Sequence, residues 1–516
     1  MSNLSAKLAA IRGQIVRPSP IPITFGEWLP DLPDLDNPGL TIAENVMPIA
    51  VGYEGFPSFS VATDALTARV RGVISVADKD GNTFSYAADA TKIYALSGST
   101  WSNVTGTTLD LGDGENLEFG HYGEQVIASY YSTGAVEVQA ITIGAANFAN
   151  LFTSTRKPRG RHIVVFKDFL ILGGTYDTVD GAKPRRVWWS AFGAIADMDP
   201  AAATQCDFQD LPADDGFIER IIASKEYVLI CMTKAIYRMT YQGGDVIFDL
   251  QKMGSNRGLQ SAGAAAATDR IVFLQDSDGF YATDGTDAVP IGVGKVDQTF
   301  IDDLDPTYLD RVWSCIDPLN KLYMILYPGA GDSGACFQML IYYIPGKRWA
   351  QITFSTALEA VYLDLTKSIT LDDADAFADD IDVAGAPSLD SRIYLGGAYL
   401  VGAFNADHKL GSFIGADLDA RIETGERNLF NGQRNHIASV WPYVDDPDGA
   451  AVITVQIGQR DTQSATVTYS TAASMDSIGK ADVDSEGRYS RLRLNITGGF
   501  DNAHGAMAEA RPGGWV

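Results

Sequence analysis

The tetrapeptide "GDSG", Gly331 to Gly334, matches the surroundings of the nucleophile in chymotrypsin-like proteases. A serine nucleophile needs a histidine to take its proton and an acid to orient that histidine. The upstream candidates, His121 and His162, sit in no matching context, and the tetrapeptide lies inside "YPGAGDSGACF", a turn-rich loop between two apolar runs. The expectation is a loop. "IGVGKVDQ" has part of the glycine spacing of a phosphate-binding loop, but Val289 stands where the first glycine is required and Val296 where a Ser or Thr would reach magnesium. It is set aside.

Metal chemistry is equally thin. The five histidines, His121, His162, His408, His436 and His504, form no helical pair at zinc-binding spacing. Acidic turns such as "DKDGN" at Asp78 and "DSDGF" at Asp276 lack the full ligand set and closing Glu of an EF-hand, so hairpin turns are expected. Cys206, Cys231, Cys315 and Cys336 are too sparse for a disulfide framework and read as reduced, buried small hydrophobes. No catalytic residue, metal ligand or cofactor-binding residue emerges, and no enzyme activity is expected.

The elements that would position any site are mostly strands. The 516 residues are 46% hydrophobic and 20% charged, enough for substantial apolar cores. After about residue 60, short runs of Val, Ile, Tyr, Phe and Thr alternate with Gly, Asp and Asn turns. The clearest unit is "GFIERIIASKEYVLICMTKAIYRMTYQGGDVIFDLQKM", with strand-like runs at Ile218–Ala223, Tyr227–Met232, Ala235–Tyr241 and Val246–Gln251. Four antiparallel strands in roughly forty residues make one blade of a β-propeller. Similar units carry turns at Asp80-Gly81, Asp278-Gly279, Asp284-Gly285 and Asp317-Pro318-Leu319-Asn320. The chain is therefore expected to be all-β, a β-propeller of about six blades with an N-terminal extended arm and a C-terminal β module.

The expected boundaries are 1–60 for the arm, 61–430 for the propeller and 431–516 for the module. Eight of the 21 prolines lie between Pro18 and Pro57, which keeps the arm extended. Phe25, Trp28 and Leu29 on it must bury, on the chain's own body or on a neighbouring subunit. "RVWW" at Arg186 and "RVW" at Arg311, 125 residues apart, are expected to be equivalent strands of different blades, their indoles packed between blades beneath arginines. The module's "SEGRYSRLRLNITGG" alternates Tyr489, Leu492, Leu494 and Ile496 with polar residues as a half-buried strand does. The acidic run Leu371 to Gly385 is expected to be a solvated loop.

Thirty-nine basic against sixty-five acidic residues leave a net charge of −26, the wrong sign for broad phosphate gripping and the right sign for a wall past which DNA slides. The N-terminus lacks the apolar core of a signal peptide, so cytoplasmic synthesis without export is expected, and no apolar window is long enough for stable membrane insertion.

Several segments, in order from about residue 25 to 507, carry a further signal. They are "GEWLPDLPDLDNPGLTIAENVMPIAVGYEGFPS", "RRVWWSAFG" followed by "DMDP", "AIYRMTYQGGDVIFDLQKMGSNRGLQS", "DSDGFYATDG" with "IGVGKVDQTF", and "SEGRYSRLRLNITGG" followed by "AHG". Together they resemble the bacteriophage β-propeller tail nozzle proteins, also called tail tubular proteins, which form the hub of short tails. The resemblance implies a structural virion protein with no catalytic residues. It implies a homo-oligomeric ring, a hexamer, stacked on the portal and adaptor rings in the virion tail after assembly in the host cytoplasm. Tail fibres or spikes attach outside, and packaged DNA touches the channel transiently during retention and genome ejection. Two alternatives compete. A receptor-binding or polysaccharide-degrading tail protein predicts a carbohydrate groove with a carboxylate pair. A cellular propeller predicts a catalytic constellation or a repeat signature such as WD.

Overall fold

The computed structural model describes residues 19–134, 136–244, 246–254, 257–365, 399–430, 432–447 and 449–513. Among them the chain is all-β, and its main body is a β-propeller. Five separate four-stranded antiparallel sheets follow one another at residues 72–103, 118–150, 159–210, 218–252 and 265–290, forming blades 1 to 5. Blade 6 comprises Trp313–Asp317, Leu322–Tyr327, Cys336–Tyr343 and the first half of the long strand Arg348–Leu365. The first strand of each blade lies innermost, against the first strand of the next.

The ring closes through a composite blade 7. The second half of Arg348–Leu365 is its innermost strand and pairs with Tyr399–Asn405, which pairs with Lys409–Asp417. Its outermost strand comes from the other end of the chain: Pro57–Ala65 pairs with Lys409–Asp417. The six units legible along the chain are thus joined by a seventh, which no contiguous stretch spells out.

Blade interiors follow the strand alternation. Trp188 is fully buried against Ile127, Val138 and Phe152 of blade 2, while Trp189 faces blade 4, its ring 5.3 Å from that of Phe248. Arg186 lies over Trp188 (5.6 Å) and Phe208 (3.9 Å). The expected equivalence with Arg311-Val312-Trp313 fails. Trp188 is on the third strand of blade 3, whereas Trp313 opens the first strand of blade 6 and is only half-buried. Two short matches at a multiple of the repeat length do not fix strand position, because loop lengths differ between blades.

The arm is not a separate unit. Ser19–Thr24, Val46–Pro48 and Tyr53–Gly55 join Asn435–Asp445, Ala481–Gly487 and Asn502–Pro512 in one sheet. Leu40–Glu44 joins Ala420–Thr424, Tyr489–Thr497 and Val452–Arg460 in another, and also meets Gln351 at the rim of blade 6. The C-terminal module is therefore a two-sheet sandwich built from both ends of the chain, and it already includes Ala420–Thr424. Phe25 and Trp28 bury on the chain's own body, with the Trp28 indole donating to the Thr41 carbonyl at 3.1 Å, while Leu29 is half-buried. Leu492, Leu494 and Ile496 face the sandwich interior, as the alternation predicts. The acidic run Leu371 to Gly385 lies outside the described residues.

Buried polar ties fasten this seam. Arg348, 8% exposed, donates to the carbonyls of Ile49 and Gly52 at 3.2 and 3.1 Å and to those of Phe25 and Gly26 at 3.4 and 2.6 Å. Its guanidinium also covers Tyr53 at 4.5 Å, and burial pushes that phenol up to about 12 despite Arg348. Asp31 caps the one α-helix among the described residues, α1 (Asp297–Asp303), accepting from Gln298 and Thr299 backbone N–H at 2.9 Å each. Asp34 pairs with Arg491 at 2.7 Å beside the fully buried Glu423 and Glu426.

Candidate functional site at the propeller axis

The inner strands begin at one face of the ring, and their first residues line a cavity of about 470 Å³ on its axis. Blade 2 contributes Asp113, Glu115, Asn116 and Glu118, blade 3 Arg161 and His162, and blade 4 Glu219. Blades 5 and 6 add Gln260, Ser261 and Asp310 from the turns before their first strands.

A buried charge cluster joins three blades beneath the cavity. Glu118 accepts from His162 Nδ1 at 2.8 Å and from the Ile163 backbone N–H at 3.1 Å, and Arg220 lies 3.4 Å away. Burial alone raises the Glu118 pKa, but Arg220, His162 and the Ile163 N–H together hold it below the usual carboxylate range. On the blade 1 side, Arg69 and Arg71 converge on Asp310 at 3.3 and 3.8 Å, and burial with the Arg71 charge lowers the Arg69 pKa. Blade 7 completes the charged rim with Glu359, which accepts from the Val70 N–H at 3.3 Å and contacts His408 at 2.9 Å. Opposite charges thus tie blade 2 to blades 3 and 4, and the entry to blade 1 to that of blade 6, at the mouth of the cavity.

The residues weighed in the sequence fall elsewhere. Gly331–Gly334 occupies the loop between Leu322–Tyr327 and Cys336–Tyr343, with Ser333 at φ 55°. His162, His408 and His436 pair with Glu118, Glu359 and Asp484, His504 stacks on Tyr443 at 5.6 Å, and His121 lies on the first strand of blade 2; among the described residues no hydrogen bond joins a histidine to Ser333. Asp78 spends its carboxylate on the hairpin turn, accepting from Asp80 and Asn82. Asp276 accepts from the Gly258 and Ser277 N–H groups at 3.0 and 2.7 Å. The four cysteines are buried thiols, and burial pushes Cys206, Cys231 and Cys336 up to about 12. No group of three or more metal-ligating side chains in metal-holding geometry occurs among the described residues. No helix among them is long and apolar enough to cross a membrane.

The axial residues were not singled out from the sequence. Their one signal is a charged residue at the start of successive inner strands, in "GENLEF", "PRGRHIV" and "GFIER". Reading it requires the blade register first.

No protein-family model and no curated protein matches the chain. Among solved structures, the β-propeller domain of Cps50 (Swd1) from Myceliophteria thermophila is similar, at TM-score 0.38 and 9% identity over 69% of this chain and 99% of that one. A likeness at this distance says nothing about activity.

Proposed function

We propose that the chain is a structural subunit of a bacteriophage tail nozzle, forming a ring that retains packaged DNA and provides the channel for its ejection. The observation that carries this reading is how the segments resembling that family fit one another. Asp31, in the first segment, caps α1 in "IGVGKVDQTF", and Lys295 of that segment pairs with Glu27 at 2.7 Å. Asp34 reaches Arg491 in "SEGRYSRLRLNITGG". Segments hundreds of residues apart thus resemble the same family and meet at one seam between propeller and sandwich. The net charge of −26 suits a wall that repels DNA rather than gripping it.

In this reading the propeller axis is not the DNA path. Its mouth is crossed by charge pairs, and the channel is the space enclosed by the ring of subunits. The test is quantitative mass spectrometry of particles carrying this gene. About six copies beside each portal ring are expected under closed cyclic symmetry. Absence from particles would return the cellular propeller to first place, and a much larger multiple of three would favour a receptor-binding spike.

A further inference from the structure

The axial cavity carries a chemistry that the nozzle reading does not use. Its lining holds five carboxylates, Asp113, Glu115, Glu118, Glu219 and Asp310, against one guanidinium, Arg161. Glu118 and Asp310 are committed to His162, Arg220, Arg69 and Arg71. The others keep acceptor capacity. Glu115 has the Gly112 N–H at 3.3 Å and Arg161 at 4.0 Å, and among the described residues Glu219 has only the Thr233 hydroxyl at 3.1 Å. Asp113, exposed at the rim, has no partner among the described residues.

A second observation is independent of these acids. His162 is 1% exposed and Ser261 5% exposed, both line the cavity, and His162 Nε2 and Ser261 Oγ have no hydrogen-bond partner among the described residues. Buried polar atoms are rarely left so. Because Glu118 is held ionised, it cannot donate, so His162 Nδ1–H is the donor between them. In the neutral imidazole Nε2 is then an acceptor. The wall therefore presents acceptors and more negative charge than its one lining guanidinium, Arg161, offsets.

We propose that the axial cavity is a binding site for an organic cation. A primary ammonium or guanidinium head lies between Asp113, Glu115 and Glu219 and donates toward the His162 floor. The volume, about 470 Å³, lies within the range of small-molecule sites. Ammonium and guanidinium match the wall better than a bare metal ion, since two of the five carboxylates are already neutralised by arginines. The same head group arrives on a free polyamine or on a lysine or arginine side chain of a partner protein.

The experiment is isothermal titration of the purified full chain, outside any particle, with spermidine and separately with a short lysine-containing peptide. Saturable one-to-one binding of either supports the site, and which one binds identifies the source. Neither binding at about 10 mM overturns it, because weaker affinity is no better than non-specific association. The double variant Asp113→Asn/Glu219→Gln changes rim residues outside the buried cluster and is expected to weaken binding at least about tenfold. Unchanged affinity in that variant overturns the assignment, as does binding that leaves the His162 imidazole nitrogen resonances unmoved. The outcome does not depend on the nozzle reading, since the copy number of the chain in particles bears on that alone.

Discussion

Blade 4 and blade 7 are built from the same four-stranded plan by opposite routes. Blade 4 runs without interruption from Ile218 to Lys252, each strand pairing with the one just before it. Blade 7 takes its outer strand from residues 57–65 and its other three from beyond residue 357. The cores differ in kind as well. Blades 3 and 4 close over a largely apolar layer that includes Phe169, Ile171, Val228 and Ile230, with the Tyr241 hydroxyl reaching Gln205 at its edge. The side of the ring near the arm and sandwich adds Arg348, Asp31 and the Glu423 and Glu426 network to its apolar packing. Contiguous blades can select themselves by burial alone, whereas segments far apart in sequence need directional partners to fix where they land.

The largest break in the contiguous half is Trp188→Ala. A fully buried indole between blades 2 and 3 is worth about 3 to 5 kcal/mol, read as a fall in denaturation midpoint. A loss below about 1 kcal/mol would mean that the interface collapses around the void. In the seam, Arg348→Met removes a donor from four carbonyls, of which Gly26 keeps the Tyr53 hydroxyl and Gly52 the Ile49 N–H, and is expected to cost about 2 to 4 kcal/mol. Limited proteolysis should then cut first within residues 19–55. Equal cutting in blades 1 to 5 would contradict a role confined to the seam.

Gly411→Ala tests closure itself. A Cβ there would collide with the Ser60 carbonyl and the Phe59 ring, prising the outer strand off blade 7 at about 1 to 3 kcal/mol. Hydrogen exchange should speed up in 57–65 and 409–417 while blade 4 keeps its protection.

The smallest effect has the opposite sign. Asp297 is 7% exposed, with Oδ1 accepting from the Phe280 N–H at 3.0 Å and Oδ2 unpartnered among the described residues. Burial, with Asp31 and Asp278 nearby, raises its pKa to about 6 against the Phe280 hydrogen bond. The folded state therefore holds this proton more tightly than the unfolded chain, and stability falls as pH rises from about 4 through 6. Asp297→Asn should gain about 1 to 2 kcal/mol at pH 7 and little at pH 4. A pH-independent gain would place the effect in packing against Gly279 and Gly292 instead.

What the sequence made legible follows the same division. The four strands of blade 4 lie within two residues of their expected positions, because alternation and turn chemistry are local signals. The turns at Asp80-Gly81 and Asp278-Gly279 join paired strands for the same reason. Residues 57–65 gave no hint of their partner, since strand pairing over such a separation leaves no local mark. The Arg311 match misled because three residues do not encode a strand's place in its blade. Glu118, His162 and Arg220 stayed hidden because each sits alone in its own segment and becomes a cluster only when three blades share an axis.

The closure between Val61 and Gly411 also sets a clock for synthesis. At about 5 to 20 residues per second, the roughly 350 residues between them take on the order of 20 to 70 seconds to emerge from the ribosome. Throughout that interval the nascent chain holds an open edge at each end of an incomplete ring, and the strand first made waits for the partner made almost last. A circular permutant starting within the linker at residues 66–71 would make the outer strand of blade 7 last and cut the separation of Gly411 and Val61 from roughly 350 to roughly 165 residues, shortening that vulnerable period.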